Sequence, residues 1–201
     1  MPYLSCCFLV VYNFIKKVMK KHLFIALLFS FSLSSCIQVR GLRDDYKHLT
    51  DGERQVILPF KNDLEPSREN AYTLNAETLL QELQKYDKAM VYVFTWDCSS
   101  DACLPLTIYE NYAKQSGYKI FFVLTSYLDL GEAMNEPISE PIYVIDSDYY
   151  GHKWFRQYVG HFKNELKGIS KNEKEIYEGG LLFFKNGNYE ISRFYLPKSD
   201  S

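Results

Sequence analysis

The stretch KAMVYVFTWDCSSDACLP, residues 88–105, decides the fold that this sequence predicts. Residues 88–96 are rich in apolar, β-branched and aromatic side chains, a composition typical of a buried strand. Two cysteines follow it, Cys98 and Cys103, and Pro105 can occupy the first turn of a helix. The stretch therefore predicts a buried strand that runs through a loop bearing two cysteines into a helix.

The rest of the chain continues this alternation of strands and helices. The other predicted elements are a strand over 55–60, a helix over 75–86 capped by Asn75, a helix from Pro105 to Gly117, strands over 118–126 and 141–146, a helix over 151–168, and a terminal hairpin through Asn186-Gly187. Asn-Gly between two apolar runs is a strong hairpin signal. This order predicts a three-layer α/β/α domain around a mixed central sheet.

The composition suits one globular domain and excludes some functions. The chain has 201 residues, 47% hydrophobic and 16% aromatic, with a formal net charge of −2. A near-neutral balance gives no electrostatic footprint for nucleic acid. The sequence contains neither a GxGxxG fingerprint nor a P-loop, and it has no internal repeat.

The segment MKKHLFIALLFSFSLSSC, residues 19–36, has the pattern of an export signal. Two lysines precede an apolar run over 23–33, which is shorter than the about 20 residues that a membrane-spanning helix needs. The end of the segment, LSSC, resembles the bacterial lipobox, in which the cysteine is acylated and becomes the new N-terminus. The pattern predicts lipidation at Cys36; the alternative is an ordinary signal peptide in which Cys36 has no role.

This reading predicts the domain boundaries and the cellular location. Residues 1–36 form the signal region, with translation starting at Met19, residues 37–53 form a polar tether, and residues 54–201 form the folded domain. We expect a protein anchored by lipid in the bacterial cell envelope. Paired cysteines in such an oxidising space form disulfides unless another protein keeps them reduced.

Residues 88–195 resemble the thioredoxin-like superfamily, and in particular the membrane-anchored thioredoxin-like reductases of bacteria. The strand ending in FTWDC, the helix after Cys103, the insert strand PIYVID and the hairpin LLFFKNG follow the order of that family. The resemblance implies a thioredoxin-like fold and a catalytic pair, Cys98 and Cys103. The pair would exchange disulfides with thiols of envelope proteins and would need no dissociable cofactor.

The sequence departs from the family pattern at four places. The family motif W-C-x-x-C is two residues longer here between Cys98 and Cys103. The position of the family's cis-proline falls on Gly179, and that of its buried acid falls near Tyr92, which cannot transfer protons at neutral pH. The family's last helix is missing, or is replaced by the helix over 75–86.

These departures leave three uses of the cysteines open. They can form a redox pair, a structural disulfide in a non-catalytic interaction module, or a copper site similar to that of Sco-type copper-delivery proteins. Those proteins carry C-x-x-x-C-P after FT, and their histidine lies shortly before the hairpin strand, whereas His161 lies well upstream. It is also open which cysteine is the nucleophile, because a helix beginning at Pro105 favours a thiolate at Cys103 rather than at Cys98.

Overall fold

A computed structural model describes residues 41–63, 65–96 and 104–197, all of which belong to the compact unit Arg40–Ser201. The strands are β1 (Ile57–Pro59), β2 (Ala71–Leu74), β3 (Lys88–Phe94), β4 (Lys119–Leu124), β5 (Ile142–Ile145), β6 (Leu181–Lys185) and β7 (Asn188–Arg193). The α-helices are α1 (Asp51–Gln55), α2 (Ala76–Leu83), α3 (Leu106–Ser116), α4 (Leu130–Met134) and α5 (Phe155–Leu166), and a 3-10 turn spans Tyr46–His48. No helix in these described ranges is long and apolar enough to cross a membrane.

All seven strands form one mixed sheet, in the order β1-β2-β5-β4-β3-β6-β7. The five strands from β1 to β3 in this order are parallel neighbours, and β6 and β7 continue the sheet antiparallel. The strands predicted over 88–96 and 118–126 are β3 and β4, and they pair in parallel. The predicted terminal hairpin is also confirmed: Asn186 and Gly187 both have positive φ, at 49° and 75°, which suits the tight turn between twisted strands.

Helices cover both faces of the sheet. On one face, α2 and α5 bury Leu79 and Tyr158 against the strands. On the other, α3 and α4 bury Tyr109 and Leu130. Between β7 and Pro197 the described chain forms no further helix, and α2 lies on the face opposite α3.

The sequence did not predict the short strand β2 or the short helices α1 and α4. The strand β2 has only four residues, three of them buried, and α4 has five. Segments of this length do not show a recognisable period of hydrophobic residues. By contrast, α2 begins where predicted, because the Asn75 side chain accepts a hydrogen bond from the amide of Thr78 at 2.9 Å.

The described part of the predicted tether, residues 41–53, packs on the domain instead of extending from it. Leu49 is buried in the core on the α3 side of the sheet. Asp44 accepts a hydrogen bond from the Ser147 hydroxyl and pairs with Lys153, both at 2.8 Å. The folded domain therefore begins before residue 54. A segment dominated by polar residues can still be held by a few specific contacts that a hydrophobic pattern does not reveal.

Candidate functional site

The predicted site residues Cys36, Cys98 and Cys103 lie outside the described residues, the last two in the segment 97–103. The chain that leads into this segment is anchored by two hydrogen bonds. The amide of Thr125 donates to the Phe94 carbonyl at 2.9 Å, and the indole of Trp96 donates to the Glu132 carboxylate at 2.8 Å. The segment with the cysteines thus leads from the carboxyl end of β3 to the beginning of α3.

A cavity of about 680 Å³ lies at this end of β3. Its walls are mainly aromatic and apolar, with a few polar groups, as in many ligand-binding pockets. The lining residues are Tyr92, Val93, Phe94, Thr95, Thr125, Phe155, Arg156, Val159, Lys163, Glu175, Tyr177, Gly180, Phe194 and Tyr195. The cavity therefore brings the end of β3 together with one side of α5 and the loops on both sides of the hairpin.

Lys163 is a buried cation in the wall of this cavity. Its side chain is 2% exposed, and its Nζ lies 2.6 Å from Oε1 of Glu175 and 4.3 Å from the centre of the Tyr177 ring. Burial lowers the pKa of Lys163, and the pairing with Glu175 opposes part of that shift. The sequence pattern of α5 did not predict the burial of Lys163, because hydrophobic periodicity marks the apolar positions of a helix. It does not show which polar side chains another segment will cover.

Asn164 of α5 and Lys167, the C-cap residue of that helix, contact the loop that carries Glu175 and Tyr177. Asn164 donates from its amide to the carbonyl of Glu173 at 2.8 Å. Lys167 donates to the carbonyl of Ile176 at 3.2 Å and to the carboxylate of Glu178 at 3.0 Å. Together with Lys163, these residues fix the loop that forms the outer wall of the cavity.

Gly179 and Gly180 bring that loop to the ends of β7 and β3, respectively, through close backbone contacts. Gly179 has φ of 111°, and a Cβ there would collide with the carbonyl oxygen of Arg193. A Cβ on Gly180 would lie 2.6 Å from the carbonyl oxygen of Val93, whose amide donates to Gly180 at 2.8 Å. The position that the thioredoxin-like pattern gives to a proline is therefore one where this chain needs glycine.

Tyr92 lies in the floor of the cavity and is buried. Its ring stacks on Tyr109, with ring centres 4.1 Å apart, and on Phe94 at 5.0 Å. Burial, together with a hydrogen bond to Tyr109, raises the pKa of Tyr92 far above its usual value. Its hydroxyl stays protonated at neutral pH, so Tyr92 supplies no carboxylate-like base there.

His161 does not line the cavity. Its ring lies 5.3 Å from that of His152 and 6.2 Å from that of Tyr150, measured between ring centres. Across the described parts of the chain, no group of three or more His, Cys, Asp or Glu side chains is arranged to hold a metal ion.

The ion pair in the cavity wall should contribute measurably to stability. We expect Lys163→Met to lower the free energy of unfolding by about 1–3 kcal/mol, because it leaves the partly buried Glu175 without its partner. A double-mutant cycle with Glu175→Gln, followed by urea denaturation, should give a favourable coupling of about 1 kcal/mol. Lys174→Met, at an exposed position, is the matched control and should have little effect. Zero coupling would mean that the pair does not hold the loop.

Comparison with known proteins adds no assignment to this site. No family model, no curated protein and no solved structure matches the chain.

Proposed function

We propose that this protein is a thioredoxin-like thiol-disulfide oxidoreductase that is exported and anchored by lipid, and that acts through Cys98 and Cys103. One cysteine attacks a substrate disulfide as a thiolate and forms a mixed disulfide, releasing the first substrate sulfur as a thiol. The other cysteine then attacks the mixed disulfide, releases the second substrate thiol and leaves a Cys98–Cys103 disulfide. The reverse sequence oxidises a substrate dithiol.

The main support for the proposal is the position of the two elements, β3 and α3, that flank the segment with the cysteines. That segment connects the carboxyl end of β3, a strand inside the sheet whose last residues line the cavity, to the beginning of α3. Ligand sites in open α/β sheets lie outside the carboxyl ends of the strands. The order β2-β4-β3-β6-β7 that remains when β5 is taken as an insertion, with the last two strands antiparallel, supports the thioredoxin-like proposal.

The beginning of α3 favours thiolate chemistry. The helix has 11 residues and carries no acidic residue in its first turn, and its N-cap residue, Pro105, offers no side-chain hydrogen bond. The positive end of the helix dipole is therefore not offset by charges of the helix itself. Such an environment lowers the pKa of a nearby thiol.

The reduction potential of the Cys98–Cys103 pair tests this proposal. After equilibration of the purified domain in glutathione buffers, we expect a potential between about −270 and −120 mV, the range of known exchangers. Alkylation of free thiols and mass spectrometry would measure the reduced fraction. A pair that stays oxidised below about −300 mV would behave as a structural disulfide and would contradict the proposal.

Tyr92 and Gly179 favour a second candidate, a non-catalytic interaction module. They stand where the thioredoxin-like pattern has a buried acid and a proline. Two residues that assist thiol-disulfide exchange in that family are therefore replaced here. In that case the cysteines form a structural disulfide and the cavity is a contact surface. A copper site at the cysteines, the third alternative, predicts cuprous binding that is lost with either cysteine.

Export and lipidation follow from residues 19–36. We expect the mature protein to begin with an acylated Cys36 and to fractionate with membranes, where its partners are thiols or disulfides of envelope proteins. Mass spectrometry of the N-terminal peptide would measure this. The variant Cys36→Ala should lose the acyl chains and membrane association, and a mature wild-type protein that retains residues 1–35 would contradict the prediction.

A further inference from the structure

We propose that the cavity at the end of β3 binds an extended polypeptide segment that carries an acidic side chain beside an aromatic one, and that Arg156 selects the acidic side chain. The inference names the substrate class of the proposed oxidoreductase and in that sense rests on the proposed function.

Arg156 supplies the uncompensated charge of the cavity. It lies in the first turn of α5, is exposed, and makes no hydrogen bond or ion pair with any residue that the structure describes. The other cation of the lining, Lys163, is neutralised by Glu175 at 2.6 Å. No acidic residue lies in the first turn of α5. A planar guanidinium in this setting matches a carboxylate, to which it can donate two parallel hydrogen bonds.

Exposed aromatic side chains form the rim beside this charge. Tyr177, Phe194 and Tyr195 are 65%, 50% and 69% exposed. The rings of Tyr177 and Phe194 meet edge to face, with their centres 5.3 Å apart. Contiguous exposed apolar surface of this kind marks interaction sites in soluble domains. In the bound peptide, an aromatic side chain next to the acidic one would pack against these exposed rings.

The shape of the surface favours a chain over a small molecule. A second concavity of about 800 Å³ follows β7 and shares Tyr177, Phe194 and Tyr195 with the cavity. The two concavities therefore adjoin at these three side chains, one at the end of β3 and the other extending to Pro197. One small ligand would fill only one of them, whereas an extended polypeptide, at about 3.3 Å per residue, can pass through both.

Peptide binding to a redox-inert protein tests the inference apart from the chemistry. The protein carries Cys98→Ser and Cys103→Ser, and the probes are fluorescein-labelled heptapeptides, blocked at their C-termini, of sequence Ser-Gly-Glu-Phe-Thr-Gly-Ser. Two matched probes have Gln or Lys in place of Glu. We expect fluorescence anisotropy to show about fivefold tighter binding of the Glu peptide than of the Gln peptide, and weakest binding of the Lys peptide.

Further substitutions in the redox-inert protein test whether Arg156 causes the preference for the Glu peptide. Arg156→Gln should abolish the preference for Glu over Gln, and Arg156→Glu should reverse the order of the Glu and Lys peptides. Phe194→Ser should weaken all three peptides alike. The control Lys185→Gln removes one positive charge where β6 pairs with the first residue of β3, at the other end of that strand, and should change nothing.

Three results would overturn the inference. They are the absence of peptide binding, an unchanged preference in Arg156→Gln, and full competition by equimolar N-acetylglutamate, which would indicate a small-molecule site. Glutathione equilibration of the wild-type protein is measured separately. A redox-active protein that binds no peptide refutes only the inference, and a redox-inactive protein that selects the Glu peptide refutes only the proposed chemistry.

Discussion

A Cys103→Ser variant should accumulate a mixed disulfide through Cys98 when it is offered a disulfide substrate, and it should lose catalytic turnover. The first exchange step needs only one thiolate, but release of the substrate needs the second cysteine to attack the mixed disulfide. Without that attack the intermediate persists. Non-reducing gels and mass spectrometry of the linked peptide would identify which cysteine holds the substrate.

The complementary variant decides which cysteine is the nucleophile. If the N-terminus of α3 activates Cys103 instead, Cys98→Ser becomes the trapping variant. The double variant Cys98→Ser, Cys103→Ser is the control and should trap nothing. If neither single variant traps a substrate, thiol exchange is excluded and the interaction module becomes the better description.

Gly179→Ala should lower the free energy of unfolding by about 3 kcal/mol or more. The backbone of Gly179 has φ of 111°, which side chains rarely adopt, and a Cβ there would collide with the carbonyl oxygen of Arg193. The oxygen belongs to the backbone and a Cβ is held rigidly by its Cα, so no side-chain rotation can relieve the contact. Urea denaturation followed by intrinsic fluorescence would measure the loss.

Gly52→Ala is the matched control for this substitution. Gly52 lies in α1, and a Cβ there would meet no atom within 4 Å. We expect it to be neutral, or stabilising by up to about 1 kcal/mol, because alanine favours a helix more than glycine does. A Gly179→Ala protein as stable as the Gly52→Ala protein would show that the loop does not pack against the end of β7.

Local signals in the sequence were sufficient for much of this architecture. The β-branched and aromatic run over 88–96 predicted β3, Asn75 predicted the beginning of α2, and Asn186-Gly187 predicted the hairpin between β6 and β7. Each signal depends on a few consecutive residues, through burial on both faces of a strand, a cap, or a turn with positive φ. The same local reading identified Cys98 and Cys103 as the candidate site.

The surroundings of that site depended on contacts between residues far apart in the chain. Lys163 is buried only because the loop that carries Glu175 and Tyr177 folds over α5. Residues 41–53 pack on the domain because Asp44 accepts a hydrogen bond from Ser147 and pairs with Lys153, both more than 100 positions away. No periodicity encodes such contacts, since their free energy comes from desolvation and pairing that exist only once the sheet is assembled. The sequence alone thus predicted six of the seven strands, the Asn75 cap and the candidate cysteine pair, whereas the tertiary structure decided the cavity, its charge and its aromatic rim.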